Sequence, residues 1–283
     1  MRAATSPAGL PPRSIDRRRT DWKLNVPSAS IFVRSLIFNI AFYILLAFWV
    51  IVGLPTYLMP RWGILTIAKN WGRSSIWLMR LICNTKVEYR GLEKIPKGPL
   101  IVAAKHQSAW ETFALLQFFD QPLYILKREL TWIPLFGWYL LKADMIGINR
   151  AAGARSLREM VRAARDEVRR GRQLIIFPEG TRRAAGAEPD YKPGVGQIYA
   201  LCDVPCIPVA LNTGLFWPRR SFMRYPGTIV VEFLDPLPPG LPRDEFLKRM
   251  PDAIETATNR LLQDTREEQA RLFGVVAPAP SRG

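Results

Sequence analysis

Cysteine and histidine are scarce in this chain. Its 283 residues include three cysteines and one histidine, and the spacing of Cys83, Cys202 and Cys206 is not that of a disulfide framework. Cys202 and Cys206 resemble half of a zinc site, but no second thiol pair accompanies them and the histidine lies far upstream. We therefore expect buried apolar thiols, a reducing compartment and no metal site.

Two motifs of common enzymes are also absent. No Gly-x-Ser-x-Gly nucleophile elbow occurs in the chain, which argues against a serine hydrolase. The segment FPEGT at 177–181 has neither the length nor the lysine of a phosphate-binding P-loop. A phosphorylated ligand would therefore have to be bound by other groups, such as arginine side chains.

Acidic residues are outnumbered, since 24 Asp and Glu face 40 Lys and Arg, which gives a formal charge of +16. This excess implies attraction to a polyanion, and charge alone does not choose among nucleic acid, acidic lipid and a phosphorylated substrate. A hydrophobic content of 48% in a chain of this length excludes general disorder and predicts one domain with appendages.

One long uncharged segment is present at 35–54, with the sequence SLIFNIAFYILLAFWVIVGL. About 20 apolar residues are enough to cross a bilayer as a helix. A retained anchor is favoured over a cleaved signal peptide, because PTYL at 55–58 lacks a small-x-small site. Basic residues flank both sides, so the positive-inside rule gives no orientation. A transmembrane span and a helix that breaks near Gly53 and returns to the same face both remain open.

The next segment, 61–82, is predicted to be an amphipathic helix. Lys69, Arg73 and Arg80 share one face of it, while Ile64 and Trp71 lie on the other. Such a helix can lie in the lipid headgroup region or pack on a soluble domain, and the sequence alone does not decide.

From residue 85 onward, short apolar runs alternate with helical patterns. This alternation predicts an α/β fold with a mixed, largely parallel sheet flanked by helices, preceded by an N-terminal membrane-embedded helical segment. The predicted strands are 85–89, 100–104, 123–126, 145–148, 173–177, 206–211 and 228–233, and the predicted helices are 109–119, 134–142, 153–170, 194–202 and 243–265. The predicted organisation is a mobile basic N-terminus at 1–25, a membrane-anchoring segment at 26–84, the α/β domain at 85–272 and a mobile tail at 273–283.

The single histidine, His106, lies between a predicted strand and a predicted helix, where side chains are displayed rather than packed. A neutral imidazole, with an ordinary pKa near 6.5, is a suitable proton acceptor for an alcohol. Contact with Glu111 requires the histidine to lie outside the helix and the glutamate in its first turn, and Ser108 as N-cap would start the helix there. In the alternative interpretation, Ser108 and Glu111 form a capping box and Glu111 only satisfies backbone N–H groups.

The residues from His106 to Glu111 resemble the His-x4-Asp motif of glycerolipid acyltransferases, especially 1-acyl-sn-glycerol-3-phosphate acyltransferases. Three further blocks resemble that family in order and spacing: KRELTWIPLFGW at 127–138 with GINR at 147–150, FPEGTR at 177–182, and VPCIPV at 204–209. Together they cover roughly residues 85–235. The chain departs from the family pattern at Glu111 and Asn149, where Asp is usual, and at Lys105, where Asn is frequent.

The resemblance implies transfer of a fatty acyl group from a thioester to the sn-2 hydroxyl of 1-acyl-sn-glycerol-3-phosphate, giving phosphatidic acid. It implies His106 as general base and Glu111 as its orienting partner. The residues expected to bind the acceptor or to shape its site are Lys105, Arg150, Glu179, Gly180, Thr181 and Arg182. Arg150 and Arg182 are assigned to the acceptor phosphate, because a guanidinium binds phosphate oxygens in pairs.

No cofactor is expected beyond the acyl donor, which is acyl-CoA or an acyl carrier protein thioester. The expected partners are a phospholipid membrane and lysophosphatidic acid, without nucleic acid, at the cytoplasmic face of the bacterial inner membrane. Three alternatives stay open: another lysolipid acceptor, a lipid hydrolase that uses water, and a non-catalytic basic protein that binds membrane surfaces.

The predicted helix at 153–170 has an arginine-rich face, formed by Arg155, Arg158, Arg162, Arg165 and Arg169. This pattern is typical of a solvated helix face that covers a sheet. A second interpretation is a contact with anionic lipid or with the phosphates of an acyl donor.

Overall fold

The computed structural model of the protein describes residues 28–149 and 153–273. Its first two helices are α1 (Ser28–Val52) and α2 (Arg61–Cys83), joined by a 3-10 turn at Leu54–Leu58 that begins at the predicted break. Trp49 of α1 donates its indole N–H to Ser74 Oγ of α2 at 2.9 Å. The two helices therefore form a hairpin, and the apolar helix begins earlier in the chain than predicted.

The sheet that follows has seven strands in the order β1-β7-β6-β2-β5-β3-β4. The strands are β1 (Thr85–Arg90), β2 (Leu100–Ala104), β3 (Pro122–Lys127), β4 (Ile146–Ile148), β5 (Gln173–Ile176), β6 (Cys206–Leu211) and β7 (Gly227–Phe233). Neighbouring strands are parallel except β6 and β7. The predicted fold class is confirmed, and each predicted strand agrees with an observed one to within one residue at either end.

The remaining helices are α3 (Trp110–Ala114), α4 (Phe136–Lys142), α5 (Gly153–Arg169), α6 (Gly194–Cys202) and α7 (Arg243–Phe273). The prediction for 109–119 was too long, because α3 ends at Ala114 and a 3-10 turn continues to Phe118. The prediction for 243–265 was too short. Thr265 and Gln269 are buried polar residues on the core-facing side of α7, and they interrupt the apolar pattern that would have indicated the longer helix.

Both faces of the sheet are buried, as expected for a parallel sheet covered by helices. Leu100 and Val102 of β2 point into a core shared with α1, α2 and α3, whereas Ile101 and Ala103 point into a core shared with α5, α6 and α7. The molecule thus has a hairpin layer on one face of the sheet and a three-helix layer on the other.

Helix α2 packs closely on the domain. A Cβ atom added to Gly72 would lie 2.7 Å from the carbonyl oxygen of Phe113 in α3, so only glycine permits this approach. Trp62, Arg73 and Trp77 are exposed on the opposite side of α2. Of the two alternatives for this helix, packing on the domain is confirmed, and a tryptophan and arginine stripe still faces outward.

Helix α1 has one face on the domain and one face exposed. Ile31, Ser35 and Phe38 are buried, and the Phe38 ring meets Trp217 at 5.4 Å. The exposed apolar residues of α1 are Phe32, Val33, Leu36, Ile37, Ile40, Tyr43, Ile44, Phe48, Ile51 and Val52. Among the described residues, one helical stretch is apolar and long enough to cross a bilayer, namely Ala29–Leu58 with a mean hydropathy of 2.4.

Candidate active site

The site is formed where two neighbouring parallel strands end. β2 pairs with β5, so their carboxyl ends lie at the same edge of the sheet, with His106 after β2 and Glu179 after β5. The backbone N–H of His106 donates to Glu179 Oε2 at 3.0 Å. Binding sites of parallel α/β sheets are commonly found at this edge, because the loops from adjacent strands converge there.

His106 and Glu111 are in direct contact. The imidazole Nδ1 lies 2.9 Å from Glu111 Oε1, and the carboxylate is fully buried while the histidine side chain is 14% exposed. Helix α3 begins at Trp110, so the histidine lies outside the helix and the glutamate lies in its first turn. The arrangement required for a His–Glu contact is therefore present.

Glu111 also holds the main chain around the histidine. Its Oε1 accepts the N–H groups of Gln107 at 2.7 Å and Ser108 at 2.6 Å, and its Oε2 accepts Thr213 Oγ1 at 2.9 Å. The orienting and capping geometries considered for this residue thus occur together.

The predicted capping box is only half formed. The N-cap position of α3 is Ala109 rather than Ser108, and Ser108 Oγ accepts the N–H of Trp110 at 3.2 Å. The return bond from Ser108 N–H to Glu111 is present. The prediction of Ser108 as N-cap was wrong by one residue, because the carboxylate gathers the preceding N–H groups and the helix starts later.

The two sides of the imidazole ring differ in what they contact. Because a carboxylate only accepts, Nδ1 carries the proton in the neutral ring, and Nε2 is left as the basic nitrogen. The Phe177 ring stacks on the imidazole with centroids 4.0 Å apart and an interplanar angle of 16°. This packing and the Glu111 contact restrict the rotation of the ring.

The Glu179 carboxylate contacts the backbone of His106 and the side chain of Lys105. Its Oε1 pairs with Lys105 Nζ at 3.0 Å, and its side chain is fully buried. Its other oxygen positions the backbone N–H of His106, and no hydrogen bond or ion pair joins it to Arg182 in the described part of the chain. Lys105 is 2% exposed and also pairs with Glu255, so a direct contact with substrate stays a prediction that this burial does not favour.

The turn after Glu179 is where the predicted phosphate-binding residues lie. Gly180 has a φ of +66°, which side chains other than glycine rarely adopt, and its N–H donates to Phe177 O at 2.9 Å. Thr181 is exposed and Arg182 is half-buried. The N–H of Arg183 donates to His106 O at 2.7 Å, so this turn is attached directly to the segment that carries His106.

Arg182 is free to bind an anion, since its guanidinium makes no ion pair within 28–149 and 153–273. Arg219 contacts the carbonyl of Arg182 and fixes its backbone. Arg150, the other predicted phosphate ligand, lies outside the described residues, as do the predicted mobile N-terminus and most of the predicted tail.

Sequence reasoning missed Thr213, which supports Glu111 from the loop after β6. The sequence does place Thr213 just after a predicted strand, but it does not reveal that this strand lies beside β2, which brings the two strand ends to one edge. Glu255 was missed without a comparable signal, since it lies on α7 at a great distance in sequence from Lys105.

The cysteines do not take part in this site. All three are free and buried, as predicted, and burial raises the pKa of the Cys202 thiol to about 11. Across the described part of the chain, no cluster of three or more His, Cys, Asp or Glu side chains is placed to hold a metal ion.

Residues 86–212, which include His106, Glu111, Glu179 and Arg182, match the family described as Acyltransferase. This segment of the chain is therefore similar to acyltransferases. It is 38% identical over 165 residues to a 1-acyl-sn-glycerol-3-phosphate acyltransferase of Pseudomonas aeruginosa, a match that covers 58% of this chain and 64% of that protein. It is 30% identical to a chloroplastic enzyme of the same name from Brassica napus, over 55% of this chain and 44% of that protein.

A solved structure supports the same relationship. The 1-acyl-sn-glycerophosphate acyltransferase PlsC from Thermotoga maritima is similar with a TM-score of 0.69 and 26% identity, over 81% of this chain and 96% of that one. The chain spans less than two thirds of the length of the first curated relatives it matches.

Proposed function

We propose that this acyltransferase transfers a fatty acyl group from an acyl thioester to the free sn-2 hydroxyl of 1-acyl-sn-glycerol-3-phosphate, giving phosphatidic acid. The observation that carries the proposal is the contact between His106 Nδ1 and the buried Glu111 carboxylate, on the segment tied to the Arg182 turn. The match of residues 86–212 to the acyltransferase family and the names of the relatives support the reaction type and the acceptor.

In the first step, His106 Nε2 accepts the proton of the acceptor hydroxyl while its oxygen attacks the thioester carbonyl carbon. Glu111 stabilises the imidazolium that forms. The tetrahedral intermediate then collapses and the carbon–sulfur bond breaks. The leaving thiolate takes the proton from the His106 imidazolium, which gives a free thiol and restores the neutral imidazole. No covalent enzyme intermediate is required.

The negative oxygen of that intermediate needs hydrogen-bond donors. The N–H groups of Gln107 and Ser108 do not serve, because both donate to Glu111 Oε1. The donors must therefore come from another part of the site.

Arg182 is proposed to bind the acceptor phosphate, together with Arg150 from the segment outside the described residues. Arg183 and Lys192 are less available, because both pair with Asp190. Thr181 and Gly180 shape the same turn. Arg219 contacts the main-chain carbonyl of Arg182, and the Arg182 guanidinium can offer two parallel donors to phosphate oxygens.

The donor is proposed to be acyl-CoA or an acyl carrier protein thioester, used as a co-substrate without a cofactor or metal. The thiol leaving group is common to both donors. No chemical step assigned to His106, Glu111 or Arg182 depends on which carrier delivers the acyl chain.

The protein is proposed to act at a phospholipid membrane, on the cytoplasmic face of the bacterial inner membrane. Support comes from the exposed apolar face of α1 and from Trp62 and Trp77 on α2, since tryptophan is enriched at membrane interfaces. The hairpin reverses the chain and both its helices contact the domain, which favours insertion into one leaflet over a full crossing.

The test is an assay of the purified protein with lysophosphatidic acid and several long-chain acyl thioesters. We expect equal amounts of free thiol and phosphatidic acid. Free thiol without new phospholipid would indicate hydrolysis, and no turnover with any donor would indicate a binding role. Lysolipids with and without a terminal phosphate then define the acceptor, and preference for an acceptor without phosphate would contradict the role of Arg182.

A further inference from the structure

Lys105 occupies an unusual place for a lysine. It follows β2 directly, precedes His106 and is 2% exposed. Its ammonium lies 3.0 Å from Glu179 Oε1 and 2.6 Å from Glu255 Oε1. A buried ammonium requires paired charges, and this one has two.

The first partner connects Lys105 to the catalytic histidine. Glu179 uses one oxygen for the Lys105 ammonium and the other for the backbone N–H of His106. One carboxylate therefore holds both the side chain of Lys105 and the backbone N–H of the next residue, His106. Displacing Glu179 would move the main chain that carries the imidazole.

The second partner comes from outside the family match at 86–212. Glu255 lies on α7, and its Oε1 also accepts the Tyr191 hydroxyl at 2.6 Å. Burial and the neighbouring Glu255 raise the pKa of Tyr191, which keeps this hydroxyl a donor. Without Glu255, the pair of Lys105 and Glu179 would lose its link to the C-terminal helix.

We infer that Lys105 and Glu255 are positioning residues of the acyl-transfer site, and that α7 completes this site through them. The glycerolipid acyltransferases that this chain resembles frequently have Asn at the position of Lys105, and a neutral, shorter amide cannot balance two carboxylates. The lysine and the α7 glutamate therefore act as a linked pair. This inference rests on the proposed function for its kinetic consequences.

The charges that face His106 come from several elements. Glu111 of α3 contacts Nδ1, Glu179 follows β5, and Arg182 and Arg183 lie in the turn attached to the His106 carbonyl. Lys105 and Glu255 add opposite charges behind Glu179. Removing the charge of Lys105 and removing the charge of Glu255 should therefore move the midpoint of the imidazole titration in opposite directions.

The first experiment uses the fact that the chain has one histidine, so its imidazole NMR signal needs no assignment. We expect Lys105→Met to move the midpoint of the imidazole titration up by about half a pH unit or more, and Glu255→Gln to move it down by a similar amount. The matched control is Glu232→Gln, which removes a different carboxylate that pairs with α7, through Arg260, at 17% side-chain exposure against 19% for Glu255.

The second experiment measures turnover of full-length protein with lysophosphatidic acid and an acyl thioester. We expect Lys105→Met and Glu255→Gln to lower kcat about tenfold or more, with the acceptor KM changed by less than about threefold. The milder substitution Lys105→Arg keeps the charge and should recover part of kcat. Glu232→Gln should match the wild type.

Titration midpoints that stay in place, or move in the same direction for both variants, would overturn the inference and indicate a purely structural network. Equal losses of kcat in Glu232→Gln would do the same. Absence of turnover in the wild type would contradict the proposed function instead, while the titration would still test the network. If Lys105→Met fails to fold, Lys105→Gln removes the same charge while keeping a hydrogen-bond donor, and its comparison with Glu255→Gln replaces the first one.

Discussion

Around His106, charged side chains are buried, whereas along α1 apolar side chains are exposed. Glu111 and Glu179 are fully buried and Lys105 nearly so, each with partners, while Ile44 and Ile51 of α1 are 65% and 64% exposed. Both arrangements cost stability in a water-soluble protein, and both are explained by a ligand. Under the proposed function, the first arrangement holds the general base and its surroundings in place, and the second offers a surface to lipid.

The comparison predicts that the two regions can be disabled separately, and the largest effect is expected at Glu111. Glu111→Ala removes the imidazole partner and leaves the Gln107 and Ser108 N–H groups without an acceptor. We expect kcat to fall by about 10²–10³-fold, with vesicle binding unchanged. Glu88→Gln, which alters an exposed pair with Arg90, is the control. A loss of kcat of less than fivefold would contradict the role of Glu111 as the orienting partner of His106.

The next effect concerns the acceptor phosphate. Arg182→Ala removes a charge-assisted pair of hydrogen bonds, so we expect kcat/KM for lysophosphatidic acid to fall about 10–100-fold. An acceptor without phosphate should be affected much less. Arg249→Ala, which removes an exposed arginine of α7, should change neither value. Equal losses of kcat/KM for both acceptors would show that Arg182 does not bind the phosphate.

The exposed region is tested by polar substitution on α1. Changing Ile40, Ile44 and Ile51 together to Ser should lower partition into phospholipid vesicles about tenfold or more, because each buried aliphatic side chain contributes about 1.5–3 kcal/mol. Turnover of detergent-dispersed substrate should be retained. Leu92→Ser with Leu201→Ser changes exposed leucines elsewhere and is the matched control. An equal loss in the control would show that α1 is not the lipid-binding face.

The smallest effect is expected on the opposite face of the sheet. Helix α5 belongs to the three-helix layer, on the face of the sheet opposite α1. Salt screens the charges of its exposed arginines. Arg158→Glu with Arg162→Glu should change vesicle binding and the donor KM by less than about twofold. A large rise in the donor KM would instead place the phosphates of the acyl donor on this helix.

The strands and the His106–Glu111 contact were predictable from the sequence, because both depend on local pattern. β2 and β6 are continuous apolar runs, each preceded by a proline and followed by a polar residue, and their limits were found without error. The spacing of His106 and Glu111 also fixed where the helix had to begin for the contact to form, and the structure places that start at Trp110.

The supporting contacts were not predictable, because they join residues that are distant in sequence. Thr213 meets Glu111 only because β6 lies beside β2, and Glu255 meets Lys105 only because α7 crosses the site edge. Lys105 was accordingly interpreted as a possible substrate ligand, since a lysine beside a catalytic histidine gives no sign in sequence of being buried.

The central claim is that His106 is the general base of acyl transfer to a lysophosphatidic-acid-type acceptor. The most direct test is the rate of phosphatidic acid formation by His106→Ala, in protein whose vesicle binding and thermal unfolding match the wild type. We predict a loss of about 10²–10⁴-fold in kcat. Phosphatidic acid formation within about fivefold of the wild-type rate would contradict the account.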